Sequence, residues 1–143
     1  IAFRGKGAEL LLPPTRSLTR AKRSLAALAG GGGTPLASGI NAAAALALNV
    51  RRRGISPLIV LLTDGRANIT AEGKPGRDRA QNDASIAGRR LRAEGIATML
   101  VDTSPRPQLQ AERLAQQMAA RYVPLPYANA AAISKAARMA AKA

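Results

Sequence analysis

The chain has 143 residues, a length that suits a single domain spanning residues 1–143. Hydrophobic residues make up 47%, but with one Phe, two Tyr and no Trp the core must be built from Ala, Leu, Ile and Val. There are 22 Lys+Arg against 8 Asp+Glu, a net charge of +14, and neither Cys nor His, which excludes disulfides, thiolate or imidazole zinc sites, thiol nucleophiles and triads with an imidazole base. Only oxygen ligands remain for a metal, which suits hard cations such as Mg²⁺, Mn²⁺ or Ca²⁺.

The chain opens on Ile1-Ala2-Phe3, without Met, and reads as a piece of a longer protein. Ile1 to Phe3 and Ala8 to Leu12 read as two strands of a hairpin around Gly5-Lys6-Gly7, stopped by Pro13-Pro14. Ser17 is a candidate N-cap for a helix running to about Ala29, with Leu18, Leu25 and Leu28 on its buried side. Ser24 to Val50 carries no charge, but Gly30 to Gly33 and Pro35 interrupt it, so it is no membrane span. Thr34-Pro35 opens the next helix, with Thr34 as N-cap; Leu36, Ile40, Ala43, Ala47 and Val50 keep the 3.6 period. Arg51 to Arg53 sit in its last turn and Gly54 ends it.

Pro57 to Leu62 is apolar without alternation, the pattern of a parallel strand buried on both faces, and Thr63-Asp64-Gly65 closes it. Asn68 to Arg79 reads as a long polar loop. A helix from about Gln81 to Ala93, a strand from Ile96 to Val101, a helix from Leu109 to Ala119, a short strand from Arg121 to Leu125 and an Ala-rich helix from Asn129 to Lys142 follow. This alternation predicts an α/β fold: a doubly wound, mostly parallel sheet with helices on both faces.

In such a sheet, sites lie at the carboxyl ends of the strands. Asp64 ends the central strand and Thr34 precedes a helix after a glycine run. A hydroxyl and a carboxylate from separate loops are suitable oxygen ligands for Mg²⁺. The plainer readings are a helix cap for Thr34 and a turn signal for Asp64-Gly65. Asp102, at a strand end, is a second candidate at the rim, whereas Glu9, Glu72 and Asp78 read as solvated. The glycine run is not a phosphate loop, because Thr34-Pro35 follows it instead of Gly-Lys-Ser/Thr. Arginines recur on presumed helix faces (Arg16, Arg20, Arg23; Arg51 to Arg53; Arg89, Arg90, Arg92). They suit an acidic partner or a simply solvated face. A nucleic-acid binder is disfavoured, since Phe3, Tyr122 and Tyr127 are the only aromatics available for stacking.

Four blocks carry a resemblance: Ile1-Ala2-Phe3-Arg4-Gly5; Ala8-Glu9-Leu10-Leu11-Leu12-Pro13-Pro14-Thr15-Arg16-Ser17; Gly32-Gly33-Thr34-Pro35-Leu36; and Leu61-Leu62-Thr63-Asp64-Gly65-Arg66-Ala67-Asn68. The chain resembles a von Willebrand factor A (integrin I) domain, in particular the carboxy-terminal one of magnesium chelatase D subunits. In that family three loops form a metal-ion-dependent adhesion site. Thr34 and Asp64 match the second and third loops; the first, Asp-x-Ser-x-Ser, is absent here, so the first strand and its helix are expected to be missing. The resemblance implies a non-catalytic assembly domain whose Mg²⁺ keeps one position open for an acidic residue of a partner. The implied complex is cytoplasmic and inserts Mg²⁺ into protoporphyrin IX in chlorophyll and bacteriochlorophyll synthesis. It uses ATP that this domain does not bind. The implied partners are an AAA+ ATPase I subunit, a porphyrin-binding H subunit and further D subunits in a hexameric ring, with no nucleic acid. An interaction domain of a cobalt chelatase, or a basic nucleic-acid-binding domain, are the alternatives.

Overall fold

The computed structural model describes residues 1–28, 31–125, 135 and 139. The chain order is β1 (Ala2–Arg4), β2 (Gly7–Glu9), α1 (Leu18–Ala26), α2 (Leu36–Arg52), β3 (Leu58–Thr63), α3 (Arg77–Ala93), β4 (Ala97–Asp102), α4 (Leu109–Met118) and β5 (Arg121–Pro124). β1 and β2 form a separate antiparallel hairpin. β3, β4 and β5 form a parallel sheet in that order, with Leu58 opposite Ala97, Thr63 opposite Asp102 and Leu100 opposite Tyr122. The expected α/β architecture with a parallel sheet is therefore present.

The core is the one that the composition demands. Leu36, Ile40 and Ala47 of α2 meet Ala80, Ala84, Ala87 and Leu91 of α3. Ala111, Leu114, Ala115 and Met118 of α4 continue the layer, and Leu61 and Leu100 of the sheet pack beneath it. The small alanines let the three helices lie close side by side. Met99 and Val101, alternate residues of β4, point to the other face and cluster with Val123. Residues 129–142, expected to form a last helix, lie outside the described residues apart from Lys135 and Met139.

Four expectations need correction. The second hairpin strand stops at Glu9, so Leu10 to Leu12 lie outside it and Leu10 is half exposed. α3 begins at Arg77, about one turn before the expected start. Arg77, Asp78 and Arg79 face solvent, so the apolar stripe that betrays a helix first appears at Ala80. The proposed buried side of α1 is exposed: Ser17 does cap the helix by accepting from the Arg20 N–H at 3.3 Å, but Leu18 is 76% exposed and Leu25 66%. No residue of α1 is buried, and Leu28, just beyond the helix, is half-buried. Lastly, Thr34 does not cap α2. Pro35 occupies that position and the first helical bond runs from the Gly39 N–H to the Pro35 carbonyl.

Candidate functional site

Thr34 fails as a helix cap because its backbone is engaged elsewhere. Its N–H donates to Asn68 Oδ1 at 2.6 Å, and its carbonyl accepts from the N–H groups of Asn68 and Ile69 at 3.3 and 3.4 Å. The loop before α2 is thereby tied to the loop after β3. Gly33 makes the approach possible, since a Cβ there would lie 2.4 Å from Ile69 Cγ1 and 2.7 Å from the Gly5 carbonyl oxygen. Among the described residues, no hydrogen bond takes up the Thr34 hydroxyl.

Asp64 sits one residue beyond β3, at its carboxyl end, and is half-buried. Its Oδ1 accepts from the Arg66 N–H at 3.0 Å, so the turn reading is correct as far as it goes. The Thr63 hydroxyl accepts from the Gly65 N–H at 3.1 Å. Gly65 has φ +77°, and a Cβ there would fall 2.3 Å from the Ala111 N, so α4 packs against bare backbone. The second Asp64 oxygen, Oδ2, has no hydrogen-bond partner among the described residues. Thr34 and Asp64 line the same cavity of about 540 Å³, together with Arg66, Asn68, Arg77 and Asp78. They also line a second cavity of about 630 Å³ on the hairpin side, with Gly31 to Gly33 and Thr103. The two residues singled out from sequence thus line the same two cavities.

Supporting residues that the sequence did not single out hold the two loops. The Gln81 side chain, on the first turns of α3, clamps the loop from both sides: its Oε1 accepts from the Ala67 N–H at 3.2 Å and its Nε2 donates to the Gly65 carbonyl at 3.1 Å. Asn68 stood in one of the matching blocks, but nothing in a linear sequence marks it as the tie to Thr34. Gln81 carried no signal at all.

Asp102 turns out to be a structural node. It is fully buried, and its carboxylate accepts from the Ser104 N–H at 2.9 Å, the Gln108 N–H at 3.1 Å and the Tyr122 hydroxyl at 2.6 Å. Burial alone would raise its pKa; the hydrogen bonds from Ser104, Tyr122 and Gln108 outweigh that and hold it below the ordinary carboxylate value. Burial and the Asp102 charge together push Tyr122 well above the usual tyrosine range. Buried and holding three hydrogen bonds, Asp102 lines neither cavity at Thr34 and Asp64. It fixes Gln108, whose Oε1 accepts from Arg66 Nη2 at 3.3 Å.

The donor chemistry at Thr34 and Asp64 fits a hard divalent cation: a hydroxyl and a carboxylate on a polar cavity, each with an oxygen that no described residue bonds. Among the described residues, no three acidic side chains gather to form a dedicated cage. Mg²⁺ commonly keeps several waters and takes only one or two protein carboxylates, so the pair is compatible with it.

No protein-family model matches the chain. A magnesium-chelatase 60 kDa subunit of Cereibacter sphaeroides is 48% identical over 134 residues, covering 94% of this chain and 24% of that protein. Several of the chain's relatives are named magnesium-chelatase subunits. A 67 kDa subunit of Chlorobaculum parvum is 39% identical over 147 aligned positions, 96% of this chain and 24% of that protein. An uncharacterised protein of Mycobacterium tuberculosis is 50% identical over 105 residues, 71% of this chain and 15% of that protein. The chain spans about a quarter of the length of the chelatase subunits that it matches. A match over 94% of the chain takes in both site loops. Among the described residues no helix is long and apolar enough to cross a membrane.

Proposed function

We propose that this chain is a non-catalytic docking domain of a magnesium chelatase, of the von Willebrand factor A type, and that it holds Mg²⁺ at Thr34 and Asp64. The observation that carries this reading is the pairing of those two side chains. They come from separate loops, line one cavity, and each keeps an oxygen that no described residue bonds. The names of the relatives supply the context and favour magnesium over cobalt as the metal inserted by the whole complex. That complex would use ATP on an AAA+ partner and present porphyrin on another subunit. The Mg²⁺ inserted into porphyrin is substrate, distinct from the ion proposed here.

When bound, the ion supplies a coordination position that a partner's carboxylate can complete. The chain's own part is positional. Asn68 fixes the Thr34 loop, Gln81 fixes the loop after Asp64, and the Asp64 Oδ1 bond to the Arg66 N–H orients the carboxylate. The surplus of positive charge would speed encounter with an acidic partner, with a salt-dependent rate.

The test uses the full-length subunit, so that oxygen donors outside these residues are present. Wild type and Asp64→Ala are compared for Mg²⁺-dependent co-purification with the AAA+ ATPase subunit, with magnesium insertion assayed alongside. The expected result is loss of both, with an unchanged circular dichroism spectrum. Retention of both would reduce Thr34 and Asp64 to a loop tie and a turn.

A further inference from the structure

The cavity beside Asp64 has a charge pattern that a single carboxylate does not satisfy. Arg66 and Arg77 line it together with Asp64 and Asp78, so the lining alone is neutral. A divalent cation at Asp64 makes it doubly positive. Neither arginine belongs to an ion pair among the described residues, where the pairs are Arg51 with Glu94, and Lys74 and Arg79 with Glu72. Arg66 reaches only the neutral amide oxygen of Gln108, and Asp102 holds Gln108 in turn. Its guanidinium is therefore held at the rim without being neutralised. Guanidinium is a planar donor fork matched to a carboxylate.

We infer that the cavity receives a protein segment carrying two acidic residues, one completing the cation's shell and the other received by Arg66 and Arg77. The inference rests on the proposed cation at Asp64 and adds a specificity to it: a lone acidic residue is the poorer ligand. A nucleic acid is the less suitable polyanion, because no aromatic residue lines the cavity to stack a base.

The experiment measures fluorescence anisotropy of two labelled peptide series on the full-length subunit in Mg²⁺. Both series are labelled at the amino terminus and amidated at the carboxyl terminus, one Asp-(Gly)n-Glu and the other Asp-(Gly)n-Gln, with the spacer varied from none to about three glycines, a reach set by about 3.5 Å per extended residue. The best diacid is expected to bind about fivefold tighter than its Gln counterpart, the upper end for a partly exposed ion pair. In the Arg66→Gln/Arg77→Gln variant the preference should vanish, the diacid losing more affinity than the Asp-Gln peptide. Equal affinities in the wild type, or a preference that survives the double variant, would overturn the inference and leave the cation reading intact. Peptides that bind equally well after chelation with EDTA, or fail to bind with Mg²⁺ present, would overturn the cation reading and the inference with it. Displacement of the diacid by oligothymidylate at physiological salt would overturn the choice of an acidic protein segment.

Discussion

β3 and β4 are parallel neighbours built from the same apolar residue types, yet they end in opposite states. Five of the six positions of β4 are buried, against two of six in β3. Leu100 is completely buried, while Leu62 is 59% exposed and Val60 40%. The cause is position in the sheet. β4 has a strand on each side, whereas among the described residues β3 pairs only with β4. There Leu25 and Leu28 of the α1 region, Leu46 and Val50 of α2, and Leu58 to Leu62 line an apolar groove of about 530 Å³. An apolar run therefore announces a strand that requires cover, without naming what covers it.

Paired leucine truncations put the largest number on this contrast. Leu100→Ala should cost about 2–5 kcal/mol in chemical denaturation, whereas Leu62→Ala should stay within about 0.5 kcal/mol. Similar losses at both positions would break the comparison, because they would place Leu62 in a packed core.

The Asp102 node sharpens the same contrast at the carboxyl end of β4. Asp102→Asn should cost about 1–3 kcal/mol, since it replaces a carboxylate that accepts three hydrogen bonds. Its pKa is lowered in the folded state, so its contribution is present above the ordinary carboxylate value of about 4 and is lost as the pH falls through the folded-state value. Tyr122 works in the opposite direction: with its pKa raised, its contribution is complete below about 10 and declines as the pH rises beyond it. A pH series of denaturation curves should show the acid limb flattened in Asp102→Asn and the alkaline limb flattened in Tyr122→Phe.

Gln81→Ala gives the smallest effect, about 1 kcal/mol, because it removes two loop hydrogen bonds without opening the core. Amide exchange should quicken at Ala67, whose N–H loses its acceptor, while the β4 amides keep their protection. Faster exchange spread over β4 would mean that the site loop and the sheet open as one unit.

Much of this was legible in the sequence. The unalternating runs at Leu58 and Ala97 gave the parallel strands, and Gly54, Gly65 and Gly95 marked real positive-φ turns. Thr34 and Asp64 were legible because each ends a recognisable segment. The tie between their loops depends on Asn68, Gly33 and Ile69, a long-range contact that no local pattern encodes. Asp102 was misread for a related reason. A carboxylate at a strand end has the same sequence signature whether it faces a site or, as here, Tyr122 and the start of α4. Leu18 and Leu25 of α1 follow a helical period yet stay exposed, because periodicity records a face and not its partner.

The most direct test of the central claim is Mn²⁺ binding to the full-length subunit, read by electron paramagnetic resonance without nucleotide, for wild type and Asp64→Ala. Mn²⁺ takes the same oxygen ligands as Mg²⁺ and reports its own occupancy. The account predicts that the variant loses a bound ion or weakens it by about tenfold or more, the scale expected when a metal site loses a supporting group. Superimposable isotherms would contradict it, and would leave Thr34 and Asp64 as two loops tied together for the sake of the fold.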